Sequence, residues 1–328
     1  MKKALSAYSL AAFLLAAALA STAPGRAAPP PVPEHPSAAT SKAERDDYAN
    51  DKFMRPLDAG LKAFYGRSFK PAQAYFESAL NVIGDNTFAI SFLNAAAVQQ
   101  EGNIDVLTNV EEDAVSGAPK NYVNHVRLGF SYMFESLTGR DRTEDAREEF
   151  NAAVALNPDA QAAHVGLGIL RFNERSTNRA KLELLSALKA DPNNVLAREY
   201  LGQIYQTDLQ DPQRGLSYVI DVPNLVPDYA DIQFHIGSLL HDLHQPDEAI
   251  RYLKNGIAID TGHVGEAGQH GYTTIARIEI EQHRLAEAQR YLNAAIAADV
   301  DTIYANTLLA KLKKGDYDAS PSPGPARS

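Results

Sequence analysis

The side chains best suited to chemistry are histidines, and they cluster in one region of the chain. Six of the nine histidines lie between residues 235 and 283. His241 and His244 stand three residues apart beside Asp242 and Asp247, a spacing that can present two imidazole nitrogens from one helix end to a metal ion. Because no second pair at a recognisable spacing completes a tetrahedral shell, we predict that these histidines do not form a tight metal site.

Motifs for other catalytic chemistry are absent from the sequence. It contains no phosphate-binding Gly-x4-Gly-Lys, no Gly-x-Ser-x-Gly and no His-Glu-x-x-His. Gly166-Leu167-Gly168 lacks the third glycine of a dinucleotide-binding loop and lies in a helical pattern. The absence of cysteine excludes disulfides, thiolate metal ligands and a cysteine nucleophile. The sequence therefore predicts a protein that is not an enzyme and holds no cofactor.

Charge and hydrophobicity restrict the partners. The chain has 31 basic and 41 acidic side chains, a formal net charge of −10. Binding to a phosphate backbone needs clustered Lys and Arg, so we expect no nucleic-acid partner. After the N-terminal segment, no stretch is long and apolar enough to span a bilayer, so we expect no membrane insertion of the mature protein.

The two ends of the chain differ in composition from the rest. Two lysines precede an Ala/Leu-rich run of 17 residues with a small-residue cleavage site before Ser21, so residues 1–20 are predicted to be a signal peptide. An uncleaved membrane anchor is the alternative, but a spanning helix needs about 20 apolar residues. Residues 21–42 and 318–328 are rich in Pro, with Ala or Ser, and predict a disordered linker and tail. We expect an exported protein, periplasmic or secreted.

The chain between these ends repeats itself about seven times. Small residues preceded by an apolar one recur every 34 to 39 positions, at Gly60, Ala95, Gly129, Gly168, Gly202, Gly237 and Ala276. Apolar residues between such markers fall at helical spacing, as in Ala249, Leu253 and Ile257. Prolines near the unit ends stop the second helix. A helix–turn–helix unit of this size cannot bury its apolar face alone, so neighbouring units must stack.

Repeat three resembles the tetratricopeptide signature almost in full. The matching residues are Leu128-Gly129-Phe130-Ser131-Tyr132, Ala146, Phe150, Ala153 and Pro158. Repeats one and two depart most, with Pro56 at an aromatic position and Leu107 at a small one. The resemblance covers residues 54–301. It implies an all-α fold, a right-handed α-solenoid of about seven helix-turn-helix repeats with a C-terminal capping helix, over residues 43–317.

In the resembled family, one face of the first helix of each pair lines a concave groove where peptides bind. The corresponding residues here are mostly apolar in the first four repeats and polar in the last three. The resemblance therefore predicts as partner-binding residues Phe64, Phe92, Phe130, Met133, Phe134, Ile169, Phe172, Gln203, Phe234, His241 and Arg277. Further polar side chains on the same face are Glu199, Gln206, Asp231, Ser238, Asp242, His270 and Glu281.

We call the first seven of these partner-binding residues, Phe64 to Phe172, the apolar stripe. A phenylalanine has about 150–250 Å² to bury, and a soluble monomer tolerates an exposed patch of only a few hundred Å². The stripe therefore needs a cover. The candidates are tighter superhelical packing, the chain's own residues 43–54, an external helix or peptide, or a small apolar ligand.

The leading interpretation is a non-catalytic extracytoplasmic scaffold that binds a protein or peptide segment in the groove. The alternatives are a carrier of a small apolar or lipid-like ligand and a self-associating structural subunit. Two five-residue insertions interrupt the repeat period, one within residues 135–145 and one that contains Gly262 and Gly265. Insertions in repeat proteins map to loops on one face, so both are candidates for partner-specific loops.

Overall fold

The computed structural model describes residues 47–315, where the regular elements are all helical. The predicted signal peptide, linker and tail lie outside these residues. In chain order the α-helices are α1 (Asp51–Tyr65), α2 (Phe69–Leu80), α3 (Thr87–Val98), α4 (Asn103–Gly117), α5 (Tyr122–Glu135), α6 (Thr143–Leu156), α7 (Gln161–Asn173), α8 (Thr177–Ala190), α9 (Val195–Thr207), α10 (Pro212–Val219), α11 (Val222–Leu225), α12 (Ala230–Asp242), α13 (Pro246–Ile259), α14 (Glu266–Glu281), α15 (Leu285–Ala297) and α16 (Thr302–Lys314). Short 3₁₀ turns cover Asp47–Ala49 and Ser136–Thr138.

The helices of residues 47–315 pack as seven successive pairs. Each pair joins a first helix to the second helix that follows it, from α1 with α2 to α14 with α15, and α16 packs on α15. First helices of successive pairs also contact one another, as α3 does α5 and α12 does α14, so they form the inner layer. This architecture confirms the predicted α-solenoid of helix–turn–helix repeats. Within residues 47–315, none of the helices combines the length and hydrophobicity that a membrane span needs.

Asparagine begins four of the inner helices. Asn50, Asn86, Asn121 and Asn194 are the N-caps of α1, α3, α5 and α9, and each side-chain oxygen accepts a hydrogen bond from a backbone N–H of the first turn. At α9 the acceptor lies 2.9 Å from the nitrogen of Ala197. These caps satisfy donors that a helix start leaves unpaired. The caps therefore fix where these four inner helices begin.

Glycines set the spacing inside the pairs. A β-carbon on Gly129 would lie 2.6 Å from Cε1 of Phe150, and one on Gly60 would lie 2.5 Å from Cε1 of Phe76. In both pairs the ring of the second helix fills the space beside the glycine, as close packing of a core requires. The expectation that small markers allow close helix approach is confirmed at these repeats.

The turn inside each pair explains the position of His244. Several of these turns hold one residue with positive φ, such as Gly102 and Gly139 in repeats two and three. His244 takes this place in repeat six, with φ of 58°, two residues after α12 ends at Asp242. The expectation that His241 and His244 share one helix end is therefore wrong, because a left-handed residue ends the helical register.

The solenoid closes on itself. Gly262 donates its backbone N–H to the carbonyl oxygen of Tyr65 at 2.7 Å, and Arg67 Nε donates to the carbonyl oxygen of Gly262 at 2.6 Å. Nearby, Lys62 Nζ lies 3.3 Å from Oδ2 of Asp228. These contacts join the first repeat to the sixth repeat and to the loop before the seventh.

The inner helices also pack across the superhelix axis. The Tyr229 ring centroid lies 4.8 Å from that of Phe88 and 5.7 Å from that of Phe92. Asn194 Nδ2 donates to Thr87 Oγ1 at 3.0 Å, across 107 positions of sequence. The second repeat therefore lies against repeats five and six, and one continuous core extends through the closed turn.

The glycine-containing insertion before repeat seven belongs to this closure. A β-carbon on Gly262 would lie 2.5 Å from the carbonyl oxygen of Tyr65, so only glycine allows this approach. Asp260 fixes the loop by accepting backbone N–H bonds from Val264 and Gly265, both at 2.8 Å. The loop thus contacts the chain's own first repeat, which corrects the expectation of a free partner-specific loop at this insertion.

Candidate functional site

The apolar stripe is buried in the chain's own core. Its most exposed member, Phe64, is 6% exposed, and Phe130 is 0% exposed. The Phe92 ring centroid lies 5.1 Å from that of Phe64 and 4.8 Å from that of Phe88. The remaining members, all buried, are Met133, Phe134, Ile169 and Phe172. The prediction that these seven residues bind a partner is therefore wrong, because the chain's own core covers them.

Superhelical packing accounts for this burial, with a contribution from the start of the described chain. Asp47 is buried and accepts a hydrogen bond from Asn86 Nδ2 at 2.9 Å. Phe53 is 0% exposed, and its ring meets that of Tyr48 edge-on at 6.0 Å. Residues 43–46 lie outside the described residues. Of the covers considered for the apolar stripe, the structure shows packing by the chain itself.

The polar half of the inner face retains a cavity of about 330 Å³. It lies between α9 and α12 and reaches the start of α14. Its lining residues are Glu199, Gln203, Gln206, Thr207, Asp231, Phe234, His235, Ser238, Asp242 and Glu266. Two predicted partner-binding residues, Gln203 and Phe234, line it. His241 and Arg277 are not among the lining residues.

Helix geometry explains why these residues face one another. Glu199, Gln203 and Gln206 are four and then three positions apart on α9, the spacing that places side chains on one helix face. Asp231, Ser238 and their neighbours on α12 follow the same spacing. Because both are inner helices of adjacent repeats, the two polar rows meet.

Glu199 is the most unusual group in the cavity. It is 2% exposed, and its Oε2 accepts a hydrogen bond from the Tyr229 hydroxyl at 2.6 Å. Its Oε1 is buried and has no hydrogen-bond partner within residues 47–315. Burial raises the pKa of Glu199 to about 7, against the lowering effect of the Tyr229 bond, and the charge of Glu266 raises it further.

Asp231 occupies the opposite wall and is fully engaged. Its Oδ2 accepts from the Tyr65 hydroxyl at 3.2 Å, and its Oδ1 accepts from the backbone N–H of Glu266 at 2.8 Å. Burial raises the pKa of Asp231 well above its ordinary value, and the charges of Asp260, Glu266 and Glu199 add to this effect. The carboxyl caps the N-terminus of α14, a place that favours negative charge.

Two further buried groups on the cavity wall lack partners. His235 is 8% exposed, and neither of its ring nitrogens has a hydrogen-bond partner within residues 47–315. Burial lowers the pKa of His235 to about 4, so its ring is neutral at pH 7. Gln203 is 6% exposed, and its Oε1 also lacks a partner there. Buried polar atoms are normally paired, so unpaired ones in a cavity point to a role for that cavity.

The mouth of the cavity is polar on one side and aromatic on the other. Gln206 Nε2 donates to Ser238 Oγ at 3.0 Å and to Asp242 Oδ2 at 2.6 Å. The Phe234 ring is half-buried beside them. No lysine or arginine is among the lining residues, so the cavity has a negative potential wherever its carboxyls are ionised.

Known structures share this arrangement of helices. The chain is similar to pilF of Pseudomonas aeruginosa, with a TM-score of 0.50 and 16% identity over 65% of this chain and 88% of that one. It is also similar to YrrB, a TPR protein with an unusual peptide-binding site, with a TM-score of 0.47 and 20% identity over 62% of this chain and 98% of that one. The chain has the fold of tetratricopeptide repeat proteins. No family model matches the sequence.

In this tetratricopeptide fold, His241 and Arg277 lie on α12 and α14 and share one partner. His241 Nε2 lies 2.6 Å from Oε2 of Glu281, and Arg277 Nε lies 3.9 Å from Glu281 Oε1. These contacts tie repeat six to repeat seven. Among the side chains of residues 47–315, no group of three or more histidines and carboxylates could hold a metal ion.

The repeat pattern located part of the cavity and missed the rest. Projection of the tetratricopeptide helix face placed Glu199 and Asp231 on the inner surface, but it left out His235 and Glu266. His235 is adjacent to a projected position on α12, and Glu266 lies at the end of an insertion that shifts the repeat register. The sequence signal that points to the cavity is the change from phenylalanine to carboxyl and amide side chains at equivalent positions of the repeats.

Proposed function

We propose that this protein is a non-catalytic extracytoplasmic scaffold that binds a protein segment at the cavity between its fifth and sixth repeats. The proposal rests on one difference between the two halves of the inner face. The inner face of the first four repeats is core, whereas the inner face of repeats five and six keeps a cavity with unpaired buried acceptors, including Glu199 Oε1. Binding is thereby directed to one end of the inner face.

The state of the two buried carboxyls favours binding over catalysis. A carboxyl pair that works as acid and base needs one protonated and one ionised member. Burial raises the pKa of both Glu199 and Asp231. Both oxygens of Asp231 are also occupied, by the Tyr65 hydroxyl and by the backbone N–H of Glu266. Asp231 therefore holds the structure together and is not free to act as a base.

The same site favours a polypeptide over a small apolar ligand. A carrier of a lipid-like molecule needs an apolar cavity. The apolar stripe that suggested such a carrier is covered by the chain itself, and nine of the ten residues that line the cavity beside Glu199 are of polar types. A polar segment with side chains that donate hydrogen bonds matches this lining better.

The proposed location rests on the N-terminal sequence. The lysine pair, the apolar run and the small residues before Ser21 form the pattern of a cleaved signal peptide. N-terminal sequencing of the protein from its host should yield a chain that begins near Ser21. A chain that retains Met1 would favour the membrane anchor instead.

Site-specific photo-crosslinking tests the proposed function. A photoreactive amino acid in place of Gln206, at the cavity mouth, should form a discrete adduct with a polypeptide of the host. The matched control is the same replacement at Leu182, which is 60% exposed on α8, away from the cavity. Adducts of equal yield at both positions, or none at Gln206, would refute the scaffold. An adduct of two copies of this chain would establish self-association instead.

A further inference from the structure

The cavity between α9 and α12 is rich in carboxyl groups. Glu199, Asp231, Asp242 and Glu266 contribute four carboxyl groups to its lining, and none of the lining residues is a lysine or arginine. Glu199 is 2% exposed, and burial raises the pKa of its carboxyl because it penalises the ionised form. A cation bound against Glu199 would stabilise the ionised form of this carboxyl.

When Glu199 is ionised, the free hydrogen-bonding capacity of the wall is mainly accepting. Glu199 Oε1 and Gln203 Oε1 are buried and unpartnered within residues 47–315. His235 adds a neutral ring with two unpartnered nitrogens, of which one accepts. Glu199, Gln203 and His235 are each more than nine-tenths buried, at 2%, 6% and 8% exposure. A ligand that offers several N–H donors at once would satisfy them.

Size and shape narrow the choice of cation. A cavity of about 330 Å³ is far larger than a bare metal ion requires, and Asp231 has no free oxygen to offer as a ligand. Phe234 provides an aromatic ring at the cavity edge, where a flat cation can stack. A guanidinium is planar, carries five N–H donors and stacks on aromatic rings, whereas an ammonium is a compact, strongly hydrated point charge.

We propose that this cavity binds a guanidinium group, with Glu199 and Gln203 accepting its N–H donors and Phe234 against its plane. The source of the group is an arginine side chain of the bound protein segment, and only this part of the inference rests on the proposed function. A free guanidinium compound would meet the same chemistry, so the experiment separates the two sources.

Titration calorimetry with three peptides tests the inference. The peptides are acetyl-Gly-X-Gly-amide, where X is arginine, its neutral isostere citrulline, or lysine. The arginine peptide should bind about tenfold or more tightly than the other two, because charge-assisted and bidentate hydrogen bonds are the strong ones. Equal binding of the citrulline or lysine peptide would overturn the guanidinium assignment.

Variants of the full chain locate the binding. Glu199→Gln and Phe234→Leu should each weaken the arginine peptide about tenfold, whereas the exposed control Glu248→Gln should leave its affinity unchanged. If Glu199→Gln has no effect, the cavity is not the site. The circular dichroism of each variant should match the parent, and heteronuclear NMR shifts at α9 and α12 should map the peptide if a variant unfolds.

Methylguanidinium chloride distinguishes the two sources. The peptide should bind more tightly than methylguanidinium, because the flanking backbone adds contacts at the Gln206 and Asp242 mouth. Equal affinity of the two, lost together in Glu199→Gln, would support the guanidinium site but remove the support for a polypeptide partner. If the citrulline peptide binds as tightly as the arginine peptide, and Glu199→Gln does not weaken either, the scaffold proposal stands and this inference is wrong.

Discussion

The Tyr65 hydroxyl of the first repeat donates a hydrogen bond of 3.2 Å to Oδ2 of Asp231 in the sixth repeat, across 166 positions of sequence. Both side chains are buried. In a solenoid whose repeats contact only their neighbours, no such bond forms between repeats this far apart. Here the first and sixth repeats form one unit, and the cavity lies beside the junction.

Removal of the Tyr65 hydroxyl should destabilise the whole chain. Tyr65→Phe keeps the ring and leaves a buried carboxyl oxygen without its donor, which costs about 1–3 kcal/mol. Urea unfolding followed by circular dichroism measures the change in the free energy of unfolding. Tyr75→Phe is the control, since Tyr75 is 43% exposed. Equal stability of the two variants would show that the bond contributes nothing.

Truncation of the apolar stripe should have the effect expected of a core. Phe134 is 5% exposed, so Phe134→Ala should lower the free energy of unfolding by about 3–5 kcal/mol. Leu182→Ala, at a residue 60% exposed, should change it by no more than about 0.5 kcal/mol. A Phe134→Ala protein as stable as the parent would mean that the stripe is a surface after all.

The sequence predicted the repeats well and their superhelical path poorly. Spacing of the small markers, such as Gly129 opposite Phe150, depends on contacts within one helix pair, which local periodicity records. The burial of Phe92 against Tyr229 depends on how far each repeat rotates from the last. That rotation accumulates over several repeats, and no single residue pattern encodes it. For the same reason, the sequence suggested that the Gly262 loop contacts a partner, whereas the structure shows that it contacts the first repeat.

A partly buried ion cluster should couple the first three repeats. Arg127 Nε donates to Glu111 Oε1 at 2.9 Å, and its Nη2 donates to Glu77 Oε1 at 3.0 Å. Arg127→Leu leaves Glu111, which is 3% exposed, as an uncompensated charge and should cost about 3–5 kcal/mol in urea unfolding. Adding Glu111→Leu should restore part of this loss. A double variant no more stable than the single one would contradict the electrostatic explanation.

Glu199 should make stability depend on pH. Its pKa is about 7 in the folded protein against an ordinary value of 4.5. The folded state therefore keeps a proton that the unfolded chain has released, so this contribution is full below pH 4.5 and is lost as pH rises through 7. Relative to Glu199→Gln, the parent should lose up to about 3 kcal/mol between pH 5 and pH 8.

Urea unfolding at pH 5, 6, 7 and 8 measures this difference. The exposed control Glu248→Gln should differ from the parent by a nearly constant amount over the same range. A difference between the parent and Glu199→Gln that does not change with pH would show that Glu199 titrates normally and is not buried as described.

The candidate site was foreseen in outline only. The inner face of repeats five and six could be projected from the tetratricopeptide pattern, which gave Glu199, Gln203 and Phe234. That the acceptors of Glu199 and His235 remain unpaired could not be foreseen, because pairing depends on distances between helices. The location of Tyr229 and Tyr65 near the carboxyls likewise follows from the closure of the superhelix.

Closure of the superhelix is the central claim, and carbodiimide coupling tests it most directly. The reagent joins an amine to a carboxylate only when the two are in contact, and Lys62 Nζ lies 3.3 Å from Asp228 Oδ2 at the junction of repeats one and six. Mass spectrometry of the digested monomer should find an isopeptide bond between Lys62 and Asp228, and Lys62→Arg should abolish it. Links from Lys62 only to carboxylates of its own or the next repeat would show that the solenoid is open and contradict the account.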